Sequence, residues 1–297
     1  MRLSSRRSWA ACVSFAASTL FATSAADARS PGVGTWRRNI TITGKVNGVT
    51  GSGKINIFLP KGYTSHRKQS MKLLVALHGW RGRGDDWERN APIEYYADRG
   101  GYVIVAPHLG TTVHERSYFP ETSDKHKWGA IPGGRWVGEV VVPYMRRSYN
   151  VSKTRMGTAI MGLSTGGRGA ALLPAYYPRM FGAFAALSGD YDITMAPKEK
   201  TCTYIYGAYD KFPEPWKADN SKYLLGRLKA IPALMIHGKR DKVCPVEQTQ
   251  LFAKDMKAKG FDVTFVEDAV LGHDWRLWGG YLGAVFEFFN GKLRAAP

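Results

Sequence analysis

Cysteine is scarce in this 297-residue chain, with only Cys12, Cys202 and Cys244, too few for a scaffold built on disulfides. Carboxylates are also short, 24 Asp and Glu against 42 Lys and Arg, a formal net charge of +18. There is no internal repeat, which excludes a solenoid or propeller, and no low-complexity linker to divide the chain. Long runs of Lys or Arg and recognisable nucleic-acid-binding motifs are missing too, so the basic balance does not by itself imply a nucleic-acid partner. An apolar run from Trp9 to about Phe21 is too short and wrongly flanked for a permanent membrane span.

What stands at the N-terminus has the composition of an export signal. Arg2, Arg6 and Arg7 precede the apolar run, and small residues ending Ala26-Asp27-Ala28 follow it, so cleavage is expected after Ala28. Ser5-Arg6-Arg7-Ser8-Trp9 also resembles a twin-arginine signal, although adjacent arginines occur in ordinary leaders. The expected organisation is a leader over 1–28 and a single catalytic domain over 29–297, exported to a periplasmic or extracellular location. Removing the leader takes three of the 42 basic residues and one of the 24 acidic ones, leaving 39 against 23 and a net +16. Such a charge favours encounter with anionic partners but says nothing about fold. The two cysteines that remain, Cys202 and Cys244, permit one disulfide in an oxidising compartment, a pairing that depends on an approach the sequence does not fix.

From residue 35 onward, apolar β-type runs alternate with amphipathic stretches. Strands are expected near Trp36–Thr43, Lys54–Leu59, Lys72–Leu77, Tyr102–Ala106, Thr158–Met161, Ala183–Leu187, Thr203–Tyr206, Ala233–Ile236 and Val263–Val266. Runs such as Leu73-Leu74-Val75-Ala76-Leu77 are apolar on both faces, as strands covered by helices on both sides must be. The pattern predicts an α/β fold: a mostly parallel central sheet with helices on both faces and an antiparallel N-terminal edge. Ligands in such sheets bind beyond the C-terminal strand ends. The segments Pro107–Gly134 and Gly207–Asn220 have no clear periodicity and are expected as loops near the site. His108, His114 and His126 in the first of them are too irregularly spaced to suggest a metal site, and no cofactor is expected.

Gly162-Leu163-Ser164-Thr165-Gly166 lies between the apolar run Thr158-Ala159-Ile160-Met161 and a helix-like run from Arg168 to Tyr177. A sharp strand-to-helix turn of this kind pushes a serine hydroxyl out over a helix N-terminus, with glycines where a Cβ would collide. Ser164 is therefore the candidate nucleophile. A serine needs a base within hydrogen-bond reach and a buried acid to orient that base. His273, in Gly272-His273-Asp274-Trp275 after the last strand, is the candidate base, and Asp241, just beyond Ile236-His237-Gly238, the candidate acid; Asp210 is an alternative acid. His237 and His78 also sit at strand ends and are expected to organise loops. Backbone N–H groups of Thr165 and Trp80 are the candidate oxyanion donors. A histidine base implies a rate that rises as pH climbs from acid to neutral.

The residues Leu77-His78-Gly79-Trp80, Val141-Val142-Pro143-Tyr144, Ala159 to Gly167, Tyr177 to Ala183, Leu187-Ser188-Gly189 and Gly272 to Trp278 together resemble the esterase branch of the α/β-hydrolases. That group holds esterase D, feruloyl esterases, enterochelin esterase and the mycolyltransferases, and the resemblance runs from about Met71 to Phe289. It implies acyl transfer from esters to water or another acceptor, through Ser164, Asp241 and His273, without naming the acyl group. Candidate substrate contacts are Arg81, Arg83, Trp128, Arg168 and Trp275. If these arginines, with Arg135 at the helix after the long loop, share the cleft rim, an anionic substrate is favoured, because guanidinium groups hold carboxylates bidentately. Exported poly(aspartic acid) hydrolases offer an analogue in organisation and charge. The substrate expected is thus a small or polymeric acyl compound, with depolymerisation of a polyanion, acyl transfer, or a basic surface-binding protein on a retired hydrolase fold as the alternatives.

Overall fold

The structure, a computed structural model, describes residues 33–66, 68–117 and 131–294. Eight strands form one sheet in the order β1-β2-β4-β3-β5-β6-β7-β8. They span Thr35–Val46 (β1), Val49–Leu59 (β2), Lys72–Leu77 (β3), Tyr102–Pro107 (β4), Thr158–Leu163 (β5), Ala183–Leu187 (β6), Ala233–Gly238 (β7) and Val263–Asp268 (β8). β1 and β2 make an antiparallel hairpin, β2 pairs antiparallel with β4, and all later pairings are parallel. The hairpin turns on Asn47 and Gly48, both at positive φ (49° and 84°), the conformation that matches a two-residue turn to the strand twist.

The helices are α1 (Asp86–Asn90), α2 (Ile93–Gly100), α3 (Gly133–Arg135), α4 (Val142–Ser148), α5 (Thr165–Tyr176), α6 (Lys200–Tyr206), α7 (Pro213–Ala218), α8 (Glu247–Ala258), α9 (Trp275–Gly280) and α10 (Leu282–Lys292). A π-helical turn, Trp136–Val141, joins α3 to α4. Because successive strand residues point to opposite faces, Leu73, Val75 and Leu77 enter a core shared with α4, α5 and α8, whereas Leu74 and Ala76 enter a second core with α1, α2, α9 and α10. Every residue of β4, β5, β6 and β7 is buried, which is why these strands read as unbroken apolar runs.

Thr203–Tyr206 corrects the expected strand order, since it is the second half of α6. Its β-branched and aromatic residues resemble a strand locally, but the buried ones are Cys202, Ile205 and Tyr206, spaced i, i+3 and i+4 along one helical face. The Glu199 carboxylate accepts from the Cys202 N–H and starts the helix. Tertiary packing therefore overrides β propensity here. The segment Gly207–Asn220, expected as loop, contains α7.

Candidate active site

Ser164 follows β5 directly and stands at φ 55°, ψ −126°, a conformation that a non-glycine residue adopts only when its surroundings enforce it. They do so through backbone contact. A Cβ at Gly162 would lie 2.2 Å from the Gly166 carbonyl oxygen, and one at Gly166 would lie 2.5 Å from that of His78. The Ser164 N–H donates to Leu187 O at 2.9 Å, and its carbonyl accepts from the Arg168 N–H at 3.1 Å to open α5. The hydroxyl is thus held at the C-terminal end of the sheet, over a helix start.

His273, between β8 and α9, brings Nε2 to 2.9 Å from Ser164 Oγ and Nδ1 to 2.6 Å from Asp241 Oδ2. In the productive tautomer the hydroxyl donates to Nε2 and the Nδ1–H donates to the carboxylate. Asp241 has no exposed side-chain surface and accepts from four donors. Oδ1 takes the N–H groups of Val243 and Cys244, each at 2.8 Å, while Oδ2 faces His273 and, at 3.2 Å, His237 Nε2. Burial alone would raise the Asp241 pKa, but the hydrogen bonds from His237, His273 and Cys244 outweigh it and hold the carboxyl far below the usual carboxylate range. Asp210, the alternative acid, is exposed in the loop after α6.

The turn after β3 lies against Ser164, since a Cβ on Gly79 would sit 3.3 Å from Ser164 Cβ. His78 Nδ1 donates to Gly79 O at 2.6 Å, and its Nε2 accepts from the Leu109 N–H at 2.9 Å. Burial lowers the pKa of this imidazole, which suits the neutral ring that both contacts require. Gly79 C=O and Trp80 N–H belong to one planar peptide, so pinning the carbonyl also fixes the direction of the N–H. The Trp80 ring meets Tyr204 of α6 edge-on at 5.7 Å, which makes one side of the site aromatic.

Three further residues support the histidine and its acid. Trp278 presents its ring at 87° to the His273 ring, with centroids 5.0 Å apart, and its Nε1–H donates to Ser188 Oγ at 3.1 Å. His237 is wedged between Thr249 Oγ1 (2.7 Å) and Cys244 O (2.9 Å), beside Asp241. None of these three roles is evident from sequence alone, although Ser188, His237 and Trp278 lie in Leu187-Ser188-Gly189, Ile236-His237-Gly238 and the run from Gly272 to Trp278.

The expected substrate contacts fare differently. Arg168 is buried inside the protein rather than on the cleft rim, at 1% exposure. Its Nη2 donates to Tyr206 OH (3.0 Å) and Asp219 O (2.6 Å), while the Asp219 carboxylate accepts from Arg116 N–H, Tyr176 OH and Tyr206 OH. The expectation failed because α5 is buried along its whole length from Thr165 to Ala175, so none of these side chains reaches the rim. Arg83 is exposed and paired with Asp85 at 3.4 Å, and Arg81 is exposed. Trp275 is partly buried between Trp87 and Trp278, edge-on to both. Trp128 and His126 lie outside the described residues. Cys202 and Cys244 are free thiols. Among the described residues no cluster of three His, Cys, Asp or Glu is arranged to hold a metal, and no helix is long and apolar enough to cross a membrane.

A parallel sheet with a serine at the turn after its fifth strand, and an acid and a histidine after the last two, defines an α/β-hydrolase. The family described as "Putative esterase" matches residues 47–286, and the chain belongs to that family as a serine hydrolase. It is 28% identical to an acetyl esterase of Caldicellulosiruptor saccharolyticus over 235 residues, 75% of this chain and 84% of that enzyme. A feruloyl esterase B of Neurospora crassa is 33% identical over 118 residues, 39% of this chain and 38% of that enzyme. Among solved structures, the fluorophosphonate-binding serine hydrolase FphF of Staphylococcus aureus shares the fold with a TM-score of 0.70 at 17% identity, covering 87% of this chain and 99% of its own.

Proposed function

We propose that the protein is an exported carboxylesterase that cleaves neutral acyl esters through an acyl-enzyme on Ser164. The observation that carries this reading is the continuous contact from Ser164 Oγ through His273 to Asp241, at 2.9 and 2.6 Å, beside the Trp80 peptide held by His78. Ser164 Oγ attacks the ester carbonyl as His273 Nε2 takes its proton, and the Asp241 carboxylate stabilises the imidazolium. The N–H groups of Thr165 and Trp80 stabilise the oxyanion. His273 then returns the proton to the departing alcohol, and a water activated by the same ring releases the acid.

A neutral ester fits the charges around the site better than a polyanion does. Of the arginines expected at the rim, Arg168 is buried and Arg83 is paired, which leaves Arg81 as the one exposed without an ion pair among the described residues; nearby, Arg276 is paired with Asp274 at 2.9 Å. The similarity to an acetyl esterase points the same way, and the leader-like composition of residues 1–28 supports export.

The test compares p-nitrophenyl acetate and butyrate, an acetylated polysaccharide and poly(aspartic acid), each at low and high salt, with Ser164→Ala as control. Turnover of the neutral esters with little effect of salt, lost in Ser164→Ala, is the expected result. Fastest cleavage of poly(aspartic acid), suppressed by salt, would replace this reading with a depolymerase, and ester turnover that survives in Ser164→Ala would refute the nucleophile.

A further inference from the structure

A cluster of basic residues lies at the end of the sheet opposite the catalytic residues. Two continuous surface grooves, of about 530 and 550 Å³, share Ser65, Ser148 and Tyr149. The first is walled by Arg37, Tyr63 and Tyr144, the second by Lys68, Arg146, Arg147 and Lys153. Met71, just before β3, bridges Val151 in the second wall, and Arg146 donates to Thr158 Oγ1 at the first residue of β5. Ser164 follows the last residue of β5, so the length of that strand, roughly 20 Å, separates the grooves from the nucleophile.

No Asp or Glu lines either groove among the described residues. Arg146 is occupied, donating also to Met180 O at 3.1 Å, and forms part of the floor. Lys68, Arg147 and Lys153 are exposed and have no ion-pair partner among the described residues. Like charges lining one groove repel one another, and an anionic ligand relieves that repulsion. The rest of the lining is rich in hydroxyls, with Thr64, Ser65, Ser148 and Thr154 beside the three tyrosines. Tyr63 and Tyr144 each tilt against Tyr149, at 50° and 62°, so the rings offer edges rather than parallel platforms on which successive bases would stack; the Tyr63 hydroxyl accepts from the Asn150 N–H at 3.0 Å and keeps its own proton to donate.

We propose that this groove is a second binding site, remote from Ser164, for a carboxylated polysaccharide. Lys68, Arg147 and Lys153 take the carboxylates, and the tyrosines with the Ser and Thr hydroxyls take the sugar rings and their hydroxyl groups. The proposal stands whether or not the bound polymer carries the esters that Ser164 cuts.

The test measures binding of polygalacturonate, neutral xylan and a single-stranded DNA oligonucleotide to the full chain carrying Ser164→Ala, with and without Lys68→Glu/Arg147→Glu/Lys153→Glu and, separately, Tyr144→Ala. Polygalacturonate is expected to bind most tightly, to weaken at least about tenfold on charge reversal, and to weaken on loss of the Tyr144 ring. The same groove substitutions in the chain with Ser164 intact are expected to leave p-nitrophenyl acetate hydrolysis unchanged, which confirms folding. Absence of polygalacturonate binding, affinity unchanged by charge reversal, or xylan bound as tightly would overturn the site. DNA bound as tightly as polygalacturonate, or affinity indifferent to Tyr144→Ala, would overturn the polysaccharide assignment.

Discussion

Asp241→Asn is the substitution whose consequence the structure constrains most closely. Two backbone N–H groups, from Val243 and Cys244, point at Oδ1 from 2.8 Å and cannot turn away, so the amide oxygen must occupy that position. The amide NH2 then faces His273 Nδ1 in the place of Oδ2, at the 2.6 Å contact. A donor there forces Nδ1 to accept and moves the ring proton to Nε2, where it can no longer take the proton of Ser164. The expected loss in kcat is about 10³- to 10⁴-fold, or roughly 4 to 5.5 kcal/mol of transition-state stabilisation. Stopped-flow measurement of the p-nitrophenol burst isolates acylation, and circular dichroism confirms that the variant is folded. A burst rate within tenfold of the parent would refute the orienting role of Asp241. The same carboxylate makes a second prediction for stability against pH. Its pKa is depressed in the folded state, so its contribution is present above the ordinary carboxylate pKa, near ~4, and is lost as pH falls below it. Denaturant titrations should show the parent's advantage over Asp241→Asn held from neutral pH down to about 4 and shrinking progressively as pH falls below that; a difference that stays constant below pH ~4 would contradict the depression.

Arg168→Met leaves Tyr206, Asp219 and the rest of a buried polar cluster without their cation, and thermal or urea unfolding should show destabilisation of about 3–5 kcal/mol. His78→Phe frees the Gly79–Trp80 peptide and is expected to lower kcat about 10²-fold with little change in KM, measured by steady-state ester hydrolysis. Gly166→Ala forces a methyl group to 2.5 Å from the His78 carbonyl oxygen, where no flexible side chain can yield. Soluble expression with normal ester turnover in that variant would be inconsistent with the packing described.

The parts of the site legible in the sequence are those where chemistry imposes a local pattern. Ser164 needs glycines on either side of a sharp turn, and those glycines stand between an apolar run and a helix, so nucleophile, strand and helix declare one another. His273 and Asp241 were legible as candidates because strand ends in a parallel sheet converge on one edge. Asp241 was preferred to Asp210 from its place just beyond a strand end, while its reach to His273 Nδ1 is visible only in three dimensions. Arg168 was misplaced because charge alone suggested the surface, whereas α5 is buried from Thr165 to Ala175 and Arg168 lies among Tyr206, Cys202 and Asp219. Trp278 and Ser188 were invisible as a pair, being 90 residues apart and joined only by a side-chain hydrogen bond. Thr203–Tyr206 misled because a four-residue run of β-type residues carries the strand signal without the length to decide it.

The central claim is that Ser164 is the nucleophile activated by His273, and an active-site-directed fluorophosphonate tests it most directly. The serine oxygen would displace fluoride at phosphorus while His273 takes the proton, leaving a stable phosphonyl ester that peptide mass spectrometry can locate. A single adduct on Ser164, lost in Ser164→Ala and formed at least about 10³-fold more slowly in His273→Ala, is the predicted result. Labelling at another residue, or at Ser164 with undiminished rate in His273→Ala, would contradict the account.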